Sequence, residues 1–161
     1  MIARILLAVD DSPAGLAAAD VALRLAQTCQ ADVRAVTVLL DGEFETRLAS
    51  GAQTAEAPEA LRARRGGGQN ALLRHVVTLG VRHDVVPHTV ALVGAPAPSI
   101  LAEARAYQPD VIVIGRSGGR RSGEPYVGSE VRHVLEFADQ PVLVVPAARA
   151  QSARNRVSPS S

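Results

Sequence analysis

The sequence predicts an α/β fold, a doubly wound parallel sheet with helices on both faces. Three observations carry that reading. Short aliphatic runs alternate with helix-length segments along 161 residues, the order that right-handed crossovers turn into a parallel sheet. The runs are nearly continuous, as strands covered on both faces must be. A glycine-bearing loop joins the fourth run to the last helix. Open α/β sheets build their ligand crevice beyond such strand ends.

The first strand is Ile2 to Val9, stopped by Asp10. Ser12 is a good N-cap, and Pro13 suits a first helical turn because its missing N–H would have had no partner there. The helix runs to about Gln30, with Ala18, Ala22, Leu25, Ala26 and Cys29 forming a small-residue face. Asp32 to Leu40 is the second strand. Residues 41–58 are small and polar and read as a loop. Glu59 to Leu79 has helical character, but Gly66, Gly67 and Gly68 interrupt it. Three glycines cost a helix about 3 kcal/mol against alanine. The expectation is a frayed first half or a start near Gln69, with Gly80 as the C-cap.

Val85 to Val93 is the third strand, at an edge because of Pro87. A turn through Gly94 leads to a helix from Ser99 to Tyr107, then to the fourth strand, Val111 to Ile114. After the glycine loop a helix opens with Ser129 as N-cap, and Val142 to Val145 is the fifth strand. Residues 1–146 read as one domain and 147–161 as a polar, flexible C-terminal tail.

Hydrophobic residues make up 47% of the chain, with two Phe, two Tyr and no Trp, so the core is aliphatic. A single-strand nucleic-acid platform needs aromatic faces that are missing here. A net charge of +1 does not fit duplex binding by phosphate neutralisation. The lone Cys29 permits no intrachain disulfide and fits a reducing compartment. The N-terminal apolar run is too short for a secretory signal, and no stretch approaches the roughly 18 apolar residues of a membrane helix. A soluble, cytoplasmic protein is expected, with no membrane partner.

The chemistry lies between Asp110 and Ser129. Gly115 follows the fourth strand, Gly118 comes after two residues, and Gly128 with Ser129 after nine more. Glycines let a backbone approach a ligand closely. The helix start behind them aims free N–H groups and a positive dipole end into the loop, where a phosphate is the natural guest. Arg116, Arg120 and Arg121 add positive charge. If the first and fourth strands are neighbours, Asp10 faces the same crevice. No lysine follows the glycines as a P-loop requires. The loop follows the fourth strand, unlike the first-strand loop of a dinucleotide dehydrogenase. No nucleophile–base pair is legible, so no catalytic residue is predicted. His75, His83, His88 and His133 stand in no tight ligand spacing, so no metal site is predicted either.

These residues resemble the universal stress protein family. The glycine spacing matches its nucleotide-binding signature, and Ile5 to Ser12 and Pro141 to Pro146 resemble its flanks. The resemblance implies an adenine nucleotide alpha hydrolase-like sheet of five strands in order 3-2-1-4-5. It implies a homodimer through Val142 to Val145, ATP as ligand with ADP and AMP as alternatives, and magnesium. By position, Asp10 and Gly115 would meet the ribose and the Val38 backbone the adenine. Gly118, Gly128 and Ser129 would hold the phosphates. The implied role is a nucleotide-responsive regulatory module in stress response. The alternatives are an interaction protein of the same fold that binds no nucleotide, and a weak ATP hydrolase or self-phosphorylating protein. Glu130 departs from the family, which usually has valine or threonine there. Its carboxylate would repel terminal phosphates unless a divalent cation bridged the two.

Overall fold

The computed structural model describes residues 1–40, 58–116, 120–121, 124–125 and 127–147. Its elements are β1 (Arg4–Ala8), α1 (Pro13–Cys29), β2 (Asp32–Leu39), α2 (Pro58–Arg82), β3 (His88–Val93) and α3 (Pro96–Tyr107). β4 (Val111–Gly115), β5 (Arg120–Arg121), β6 (Glu124–Pro125), α4 (Ser129–Phe137) and β7 (Val142–Val145) follow. Five strands form one sheet in the order β3-β2-β1-β4-β7, and every pairing in it is parallel. β5 and β6 pair with each other, antiparallel.

Alternation along β1 divides the core. Ile5 and Leu7 face a layer built from α1 and α2, where Ala18, Ala22, Leu73 and Val76 pack. Leu6 and Ala8 face α3 and α4, through Ile100, Ala104, Val131 and Val134. Successive strand residues point to opposite faces, so a run with no polar residue is what two covered faces demand. The alanines of α1 let it lie close on the sheet: Ala18, Ala19 and Ala22 have no exposed surface.

Three local expectations change. α2 is one continuous helix from Pro58 and runs through all three glycines. A Cβ on Gly67 or Gly68 would meet nothing within 4 Å, so those glycines serve no close contact. Packing further along, at Leu73 and Val76, offsets their cost. Gly80 is inside α2 and does not cap it. Its carbonyl accepts from the N–H groups of His83 and Val85, each at 2.9 Å. An added Cβ would strike the Val85 carbonyl and lie 2.7 Å from the Pro87 ring. Past this helix it is Asp84 that takes the positive φ, at 53°. α3 begins at Pro96, three residues before the expected start, because prolines are tolerated in a first turn. The loop expected over residues 41–58 lies almost wholly outside the described residues, as does the tail from 148 onward. β3 takes the edge position expected from Pro87.

The end of the sheet where the strands begin is tied by Asp110, just before β4. Its carboxylate accepts from the N–H groups of Ala3 at 2.7 Å and Arg4 at 2.9 Å. These bonds hold its pKa below the ordinary 3.8. A depressed carboxylate stabilises the fold above its unfolded pKa, and the contribution disappears as pH falls through the folded value. Asp110→Asn should therefore lower the melting temperature at neutral pH. The gap from the parent protein should close as melts are recorded below pH 3.8.

Candidate functional site

The register brings three strand ends together. Ala8 pairs with Val36 on β2 and with Ile114 on β4. One or two residues further on, Asp10, Val38 and Gly115 crown the carboxyl edge of adjacent strands. They line one cleft of about 240 Å³. Ala8, Val36, Ile100 and Ile114 make its walls apolar, while Thr37, Pro96 and Glu130 complete them.

Asp10 is held by the start of α1. Its Oδ1 accepts from the Ser12 N–H at 3.2 Å and from the Ser12 hydroxyl at 2.5 Å. Ser12 Oγ in turn accepts from the Gly15 N–H at 3.0 Å, the expected N-cap. Gly15 leaves room for the acid, since a Cβ there would collide with Asp10 Oδ1. Gly115 is equally tight. A Cβ on it would lie 2.5 Å from the Ala14 carbonyl carbon and 2.6 Å from the Gly15 nitrogen. The glycine at the end of β4 is thus required by the helix passing over it, apart from any ligand.

Gly128 and Ser129 do not line the cleft themselves; they start the helix whose next residue, Glu130, does. The N-cap is Gly128, with φ −62° and ψ 160°, rather than Ser129. Ser129 takes the first helical position, and no side-chain cap is made at Gly128. The leading N–H groups of α4 are left for solvent or a ligand. Gly118, and the side chains of Arg120 and Arg121, lie outside the described residues.

Glu130, which the sequence placed near the expected phosphates, lines the cleft. Its Oε2 accepts from the Ala97 N–H of α3 at 2.9 Å. α3 has no side-chain cap of its own on Ala95, so an acid from the neighbouring helix supplies one. The sequence singled out none of Gly15, Thr37, Pro96 and Ile100 as site residues. Thr37 is the buried polar residue among those described, 5% exposed, yet in the run Val36-Thr37-Val38 it looks like any β-branched strand residue. Among the described residues no group of three or more His, Cys, Asp or Glu is placed to hold a metal ion. No helix among them is long and apolar enough to cross a membrane.

The sheet order agrees with the fold of related chains. A sequence model of the universal stress protein family matches residues 1–146. The chain belongs to that family. It is 32% identical over 142 residues to a universal stress protein of Methanocaldococcus jannaschii, a match covering 88% of this chain and 81% of the relative. Among solved structures it is similar to the universal stress protein UspA from Lactobacillus plantarum. The TM-score is 0.70 at 25% identity, over 89% of this chain and 97% of that one. It also shares its fold with a universal stress protein family protein from Arabidopsis thaliana solved with AMP bound. There the TM-score is 0.64 at 16% identity, over 95% of this chain and 97% of that one.

If Gly115 is needed for packing, Gly115→Ala should destabilise this family member whether or not a ligand is present. Three backbone atoms would have to give way, so a loss of about 1–3 kcal/mol is expected in urea denaturation.

Proposed function

We propose that the cleft binds an adenine nucleotide and that binding is the protein's signal. The observation that carries this is the meeting of Asp10, Val38 and Gly115 at one crevice, flanked by the uncapped start of α4. A volume of about 240 Å³ is below the roughly 300–1,000 Å³ of sites that engulf a drug-sized ligand. It suits the base and sugar, with the phosphates lying outside toward the glycine loop. The apolar walls take the base, and the Val38 backbone offers it hydrogen-bonding groups. The Asp10 carboxylate accepts from sugar hydroxyls. The N–H groups that open α4 at Ser129, together with Gly118 and Gly128, receive phosphate. Magnesium would supply the counter-charge for ADP or ATP. The AMP complex of the Arabidopsis relative supports a nucleotide on this fold.

Among the described residues the cleft lining holds no Ser, Cys, His or Lys, and the reading is a cytoplasmic regulatory module of stress response rather than a committed enzyme. Asp10→Ala removes charged hydrogen bonds and should weaken AMP and ATP binding by roughly tenfold, read by calorimetry. Unchanged affinity for both would remove Asp10 from the site.

The same reading includes a homodimer through β7. This strand ends the sheet and its Leu143 is exposed, so its free edge can pair with a copy of itself. The carbonyls of Pro141 and Val145 face β4. By strand alternation the amides of Val142 and Val144 point outward. Val144→Pro should therefore yield a folded monomer by sedimentation velocity while the parent protein runs as a dimer.

A further inference from the structure

We infer that Glu130 makes the cleft selective by charge. Without a divalent cation it favours an adenosine monophosphate over the triphosphate. The inference rests on the nucleotide reading above and assigns that site its preference.

Glu130 follows directly on Gly128 and Ser129, the α4 start proposed to receive phosphate. Glu130 is also one of the residues lining the cleft. It is fixed there by the 2.9 Å bond from the Ala97 N–H. The reason for that bond is legible in α3. Pro96 and Pro98 have no N–H, and the Ser99 N–H is used by the Ala95 carbonyl at 3.0 Å. Ala97 carries the one N–H of residues 96–98, and Glu130 takes it. The start of α3 would otherwise be a second seat for an anion beside the cleft. An internal carboxylate fills it and leaves its negative charge at the site.

The described lining of the cleft contains two carboxylates, Asp10 and Glu130, and no Lys, Arg or His; Arg116 follows Gly115 but is not part of that lining. A ligand's first phosphate can offset this field with the amides of α4. Each further phosphoryl group adds negative charge well inside the roughly 10 Å over which such charges interact at moderate salt. A divalent cation would bridge carboxylate and phosphates and erase the difference.

The experiment is calorimetry with AMP and with ATP, in chelator, on the parent protein and on Glu130→Gln. Glutamine keeps an oxygen that can accept from Ala97 and removes only the charge. The parent protein should bind AMP more tightly than ATP. In Glu130→Gln that preference should shrink by roughly tenfold, almost entirely through tighter ATP binding. Glu130→Thr, with the residue type the family often has there, carries the same comparison if the amide variant does not fold. Binding of both nucleotides with the same preference in variant and parent, or a parent preference for ATP, overturns the inference and leaves the nucleotide site standing. Binding of neither nucleotide to any of the proteins overturns the nucleotide reading itself, and this inference with it.

Discussion

The site depends on backbone packed against backbone at one crossing. The start of α1 passes over the ends of β1 and β4 so closely that neither Gly15 nor Gly115 has room for a Cβ. This contact sets where the helix begins and aims the Ser12 cap. It also holds the Asp10 carboxylate at the cleft while Ser12 satisfies it. The same glycines that bring a helix onto the sheet thereby position an acid facing the opening. Their packing role and the site role proposed above come from one geometric requirement, because a side chain at either position would part the elements that build the wall.

The second constraint is electrostatic and joins the two helices of the opposite layer. Helix starts concentrate unpaired N–H groups. In this chain one such start, at α3, is closed by Glu130, and the other, at α4, carries no side-chain cap. The cleft lies between a neutralised helix end and an open one. In the proposed reading a ligand with a single anionic end would be directed to the α4 start, and the bond from Ala97 to Glu130 joins α3 and α4. Leu6, Ile112 and Val131, all without exposed surface, make the core of this layer unyielding beneath it.

Much of this was legible in the residues because it is local. A nearly uninterrupted apolar run ending in Asp10, a serine and proline opening a helix, and glycines between a strand and a helix each have a physical reading within a few positions. The neighbouring of β1 and β4, which brings Asp10 beside Gly115, followed from the resemblance and not from periodicity. What escaped was long-range. Glu130 and Ala97 are 33 residues apart, and nothing in Ser-Glu-Val says which helix the acid will cap. Gly15 looks like a poor helix residue until the Asp10 side chain is seen beside it. Gly80 has the composition of a cap, but the crowding of Val85 and Pro87 explains it. α2 shows tertiary packing outweighing propensity, as Leu73 and Val76 anchor a helix that its glycines argue against.

The central claim is that one carboxyl-edge crevice, made by three adjacent strand ends and the start of α4, receives the nucleotide. Backbone amide shifts followed by NMR during an AMP titration test it most directly. The account predicts saturable shifts at Asp10, Val38, Gly115 and the amides from Ser129 to Val131, with none at the far end of the sheet around Arg4, Arg34 and Asp110. Shifts confined to that far end, or no saturable shift anywhere, would contradict it.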